Sequence, residues 1–346
     1  MAQIDKPNLH FNTKLYTGNG NTNHAITGVG FQPDLTWVKE RSNSDNNILH
    51  HLGMNAGDYI KTNTTTGLSN SGEMIKSLNT DGFTLGTRGE VNTGSANYVS
   101  WNWKGAASYA TNNVGSTTSQ VSANTTSGFA IVKWTGTGSA TTLGHGLGAT
   151  PTWILIANLT DDVNWMMYAR SMIAPGATNK EFFEINANAG LQANGSATTF
   201  TSTSNTTFGV GTDNKLNGSG DAMIAYVFAP IKGFSSFGKY IGNGNTNGPF
   251  IYTGFKPAFV LQKQHATRDW TIADNKRAYS FNPINARLNP NTSTSEGANN
   301  LTDFYSNGFR CKGTETNTNE SGGTYMYFAF AESPIVGSND TPATAR

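Results

Sequence analysis

One spacing constrains this chain more than any other feature. Three times an aromatic residue is followed by a proline seventeen positions later: Tyr16 to Pro33, Trp134 to Pro151 and Tyr240 to Pro257 (33 − 16 = 151 − 134 = 257 − 240 = 17). Residues 14–22 read Lys-Leu-Tyr-Thr-Gly-Asn-Gly-Asn-Thr and residues 238–246 read Gly-Lys-Tyr-Ile-Gly-Asn-Gly-Asn-Thr, with a looser version at 132–138. Each proline precedes a short apolar run, at 35–38, 153–156 and 259–262. Each unit then carries a Gly/Phe turn (Gly82-Phe83, Phe208-Gly209, Gly308-Phe309) and ends on an aromatic-rich stretch at 98–103, 223–228 or 325–330. The leading aromatics lie 118 (134 − 16) and 106 (240 − 134) residues apart, which is the size of a whole sandwich domain and not of a solenoid repeat. The sequence therefore predicts an all-β chain of three tandem β-sandwich repeats, jelly-roll or lectin-like. The predicted boundaries are 1–104, 128–232 and 233–337, with a Ser/Thr/Asn-rich linker at 105–127 and a C-terminal tail at 338–346. The second junction is tighter, and Phe234 and Phe237 in it point to packing against a neighbouring domain.

Strands follow from alternation. In Trp101-Asn102-Trp103 both indoles share one face of an extended chain while Asn102 takes the other, and Tyr226/Phe228 and Phe328/Phe330 repeat the pattern. Helical signals are poor: residues 181–185 are too short a run, and Gly, Thr and Asn interrupt longer windows. Gly18-Asn19-Gly20 lacks the third glycine and following helix of a dinucleotide loop, so it reads as a tight turn.

Several function classes lack the residues they need. Charged residues make up 13% of the chain and the net charge is +1, so no basic surface is available for nucleic acid. No window approaches the length of apolar sequence that a membrane helix requires. The N-terminus shows no apolar secretory region, and the single cysteine, Cys311, excludes an internal disulfide and reads as a small buried residue. His50 and His51, adjacent on a strand, face opposite sides, and His145 reads as a loop residue between two glycines. Glu181 and Glu184 face apart, Asp161-Asp162 fits no calcium loop, and no Asp, Glu or His recurs at one place in all three units. No catalytic, metal or cofactor residue is therefore predicted. Trp165 and Trp270 lie 14 (165 − 151) and 13 (270 − 257) residues after their prolines and are the candidates for glycan stacking or for interface packing.

The motifs at 16–22, 30–33, 81–86 and 325–334 together resemble a group of virion proteins of marine tailed phages, including those infecting cyanobacteria. The first and third units carry the resemblance; the middle one departs from it, with Gly148-Ala149-Thr150-Pro151 where the others have Gly-Phe-x-Pro. The resemblance implies a place in the virion, as a structural or tail-fibre-like protein assembled in the host cytoplasm, and carries no catalytic residues. The expected function is a non-enzymatic virion surface protein, a capsid decoration or tail appendage, with other virion proteins as partners. The alternative is a host-recognition adhesin of the tail or fibre that binds a host surface glycan.

Overall fold

The computed structural model describes residues 3–172, 181–193, 198–277 and 282–336. Over them the chain is an all-β assembly of antiparallel ladders, interrupted by short helical turns. The first third of the chain forms a six-stranded and a three-stranded sheet, the middle third an eight-stranded and a three-stranded sheet, and the last third two four-stranded sheets.

The same strand pairing recurs in each third. The closing strand Asn97–Trp103 lies between Phe11–Thr17 and Leu35–Glu40. In the middle third, Ala222–Phe228 lies between Phe129–Thr135 and Trp153–Asn158. In the last third, Thr324–Pro334 lies between Ser235–Ile241 and Phe255–Gln264. Register matches as well as order. Trp103 stands opposite Phe11 and Leu35, Phe228 opposite Phe129 and Trp153, and Phe330 opposite Ser235 and Phe259. Tyr16, Trp134 and Tyr240 pair with Tyr98, Met223 and Tyr325 at the other end of the same strands.

Both faces of these central strands are covered, which is why they read as nearly continuous apolar runs. One face packs on the smaller or outer sheet of its own third, as where Tyr98 and Val38 meet Ile26, Phe83 and Leu85. The matching cores hold Val227 with Phe208 in the middle third and Tyr327 with Phe309 in the last. The opposite face of all three large sheets enters one common core. At its centre Trp103, Phe228 and Phe330 form a triangle, with ring centroids 6.3, 5.8 and 6.0 Å apart. Residues at matching register positions of the three large sheets thus meet at one point of the core.

One expectation is corrected. The segment 105–127, expected as a Ser/Thr/Asn-rich linker, carries regular structure: Ala110–Asn112 and Ser119–Asn124 are strands that pair with each other and with Phe129–Thr135, extending the eight-stranded sheet. Val121 enters the core of the middle third and Tyr109 packs on the common core, and hydrogen bonds hold the segment's small polar side chains. The Ser122 hydroxyl donates to the buried Asp34 carboxylate at 2.8 Å and the Tyr109 hydroxyl donates to the Leu52 carbonyl at 2.8 Å, tying the segment to the first third. The second junction is close-packed, with Phe234 edge-on to Phe330 at 5.6 Å and Phe237 stacked on Phe328 at 4.6 Å. The expected tail at 338–346 lies outside the described residues.

Candidate functional site

The two candidate tryptophans are both interior. Trp165 and Trp270 are 1% and 0% exposed and belong to the common core. A sugar ring can stack only on an open aromatic face, so neither residue forms a glycan platform. Trp270 instead crosses between thirds: its indole N–H donates to the carbonyls of Glu184 and Ala187, and its ring meets Phe183 at 5.8 Å.

The titratable side chains are committed to structure. His50 and His51 lie on the strand Asn47–His51, both buried, each with Nδ1 donating to a backbone carbonyl, that of Asp58 and Leu52 respectively. Burial pushes both imidazoles down, His51 to about 3. His145 accepts from the Leu147 amide at Nδ1 and donates to the Ser204 carbonyl from Nε2, which fixes a neutral tautomer. Cys311 is buried beside Tyr240 and Gln262, and burial pushes its thiol up to about 12, far from a reactive thiolate. Among the described residues no three His, Cys, Asp or Glu side chains gather as a metal site would need.

What the three thirds do share is an asparagine that the sequence reading missed. Asn92, Asn217 and Asn319 each sit in a four-residue helical turn, fully buried, eleven residues before the central triangle (103 − 92 = 228 − 217 = 330 − 319 = 11). Each side-chain oxygen accepts a backbone N–H from the Gly-x-Gly turn, of Asn19, Thr137 or Asn243, at 2.9 Å. Each amide nitrogen donates to two carbonyls, of Asn21 and Gly86, Ser139 and Gly211, or Asn245 and Gly313. The glycines are required by this clasp. A Cβ on Gly18, Gly136 or Gly242 would collide with the carbonyl oxygen of Thr93, Gly218 or Glu320, and Gly20, Gly138 and Gly244 hold φ of +70°, +66° and +63°.

A second repeated device joins the thirds. The Leu68 amide donates to Leu159, the Leu191 amide to His265, and the Glu296 amide to Arg41, at 2.8, 2.7 and 3.0 Å. The three acceptors are equivalent, each six positions beyond Trp153, Phe259 or Leu35 (159 − 153 = 265 − 259 = 41 − 35 = 6). The first third thus reaches the middle, the middle the last, and the last returns to the first, so the contacts close a ring. Asn63, Asn186 and Asn291 brace the loops that reach across, accepting from the amides of Asn47, Trp165 and Trp270 at 2.9, 3.1 and 3.1 Å.

Two seams also hold a buried lysine at one matching position. Lys39 Nζ donates to the carbonyls of Asp45 and Ser293, and Lys263 Nζ to those of Asn188, Ala266 and Arg268. Burial pushes both ammonium groups down to about 8. The seam that closes the ring adds a charged network. Buried Arg277 bridges Asp274 and Glu296, Glu296 takes a bidentate pair from Arg41, and Asp274 accepts from the Trp101 indole at 3.0 Å.

Residues 6–334 match one family model, described as a domain of unknown function, DUF7483, and that single match runs through all three thirds. No curated protein matches the chain, and no solved structure matches it.

Proposed function

The chain belongs to the DUF7483 family, a domain family of unknown function, and from that premise we propose that it is a non-enzymatic structural protein of a virion surface, serving as a capsid decoration or a tail appendage. We read its three thirds as copies of one β-sandwich, at 1–104, 128–232 and 233–337, with 105–127 as a hairpin-forming connection and not a free linker. The observation that carries the proposal is the ring: three equivalent seams close around the Trp103–Phe228–Phe330 triangle within one polypeptide.

A closed ring of this kind is a single-chain counterpart of a cyclic trimer, one of the closed symmetries in which homo-oligomers are built. The residues at repeated positions support the same reading. They are glycines, asparagines, prolines and aromatics, which set shape, and no Asp, Glu or His recurs at one place in all three units. The resemblance of the Tyr-x-Gly-Asn-Gly-Asn-Thr and Ala-Phe-Ala-Glu-Ser-Pro segments to marine phage virion proteins points to the particle as its location.

Localisation on purified particles tests the proposal. Gold-labelled antibody against the protein, followed by cryo-imaging, should place it on the capsid or tail surface. Particles that carry none of it would overturn the reading.

A further inference from the structure

Three units built on one register contain their own control: what the fold needs recurs, and what two units fold without has another reason to be there. In the outer sheet of the last unit, Phe250 and Tyr252 stand opposite Arg310 and Gly308. The matching residues are Ala25 and Thr27 in the first unit, and Thr142 and Gly144 in the middle one. Tyr252 is 64% exposed and Phe250 41%, while Ile251 between them is 6% exposed, so both rings project from the sheet into solvent. Neither ring contributes the buried area that would justify it in a core.

Their surroundings are those of a binding face. Phe250 meets the Tyr305 ring edge-on at 5.9 Å. Beside them Arg310 donates to the Asn247 side chain, while Tyr305 and Lys312 both engage Asp303, at 3.1 and 3.4 Å. Tyr252 also borders a groove of about 420 Å³, lined further by Lys232, Ser236, Phe237 and Ile335.

We propose that Tyr252, Phe250 and the adjoining groove form a carbohydrate-binding site for a neutral hexose oligosaccharide. A pyranose ring has an apolar C–H face and a rim of hydroxyls. Open aromatic rings accept the first, and the guanidinium, carboxylate, amide and hydroxyl groups beside them accept the second. On the strand Lys312 is paired with Asp303 and Arg310 donates to the Asn247 side chain, so donors and acceptors stand side by side, as the hydroxyl rim of a neutral sugar requires. The groove has a volume in the range of small-ligand sites, whereas a stable protein interface would bury roughly 800 Å² of surface on each partner. The inference goes beyond the virion-surface reading and rests on register, exposure and the groove, none of which depends on that reading.

The test uses the full chain on an array of bacterial surface oligosaccharides that includes glucans, galactans and mannans, with Tyr252→Ala, Phe250→Ala and, as a control at the matching place in the first unit, Thr27→Ala. The wild type should bind at least one neutral hexose glycan. Tyr252→Ala should weaken that binding about tenfold or more, Thr27→Ala should leave it unchanged, and all three variants should melt with the wild type because the replaced side chains are exposed. Binding of no glycan by the wild type, or undiminished binding by the Tyr252→Ala/Phe250→Ala double variant, would overturn the site. So would loss of particle attachment by Tyr252→Ala in a protein that binds no glycan, which would make the face a protein interface. A negative array with positive particle localisation removes the sugar site and leaves the virion reading standing.

Discussion

A buried amide that satisfies every one of its hydrogen-bonding atoms is costly to replace, because its partners lose water and gain nothing. Asn92, Asn217 and Asn319 are such groups, each joining the Gly-x-Gly turn to the helical turn before a closing strand. Alanine at any of the three should lower stability by about 1–3 kcal/mol per orphaned group. Aspartate should do no better, since it cannot donate to the two carbonyls. Urea titration of the six variants checks this, and wild-type midpoints for the aspartates would contradict it. The asparagines were legible in principle, through their constant distance to the closing aromatics. They were overlooked because Asn is so common here in turns that a buried one does not stand out.

Titration belongs to the same scale. Lys39 and Lys263 have folded pKa values of about 8, below the ordinary 10.5, so between those values the unfolded chain binds more protons and stability rises with pH. His50 and His51 are also lowered, so stability falls as pH drops through the ordinary imidazole value of 6.5. Above about pH 9 the buried Cys311 thiol, raised to about 12, and above about pH 10 the buried tyrosines, whose pKa values are also raised, oppose the lysine gain. Melting temperature should therefore climb from pH 6 to pH 8 and again toward pH 10, and Lys39→Met should flatten the second rise. A flat profile from pH 8 to 10 in the wild type would show that the lysines are not held as the structure places them.

At the scale of elements, the closing strands were the most legible part of the chain. Alternation placed Trp101 and Trp103 on one face, and both enter the common core as the pattern implies. Truncating Trp103, Phe228 or Phe330 to Ala removes one corner of the triangle and should cost roughly 3–5 kcal/mol through lost burial and a residual cavity. Thermal melts of the three variants should fall together, and an unchanged melt for any one would remove it from the core. Segment 105–127 was illegible for the opposite reason. Composition signals burial through many apolar side chains, and this hairpin buries few, Val121 chief among them, and is otherwise held by its ladder and by hydroxyls such as those of Ser122 and Tyr109. Trp165 and Trp270 were placed by spacing but not by exposure, because a period fixes a position in the repeat and not which neighbour covers it.

For the whole molecule, the decisive feature is that the contacts return to their start. An open row of sandwiches would leave one large apolar sheet face uncovered at each end, whereas the ring buries all three in one core. Backbone amides and asparagine side chains recur in all three seams, while the buried lysines hold two of them and the Arg277–Glu296–Arg41 network only the closing one. The chain as a whole carries few charges, so the attachment to a particle that we propose should persist from about 0.1 to 1 M salt, a range over which screening shortens from roughly 10 to 3 Å. Release of the protein from particles by salt alone would show that charge carries the attachment.

Scanning calorimetry of the full chain distinguishes one closed body from three units that fold separately. A ring with a shared core should unfold in one transition, with a van't Hoff to calorimetric enthalpy ratio of about one. Three resolved transitions, or a ratio near about one third, would mean that the units unfold independently and would contradict the account.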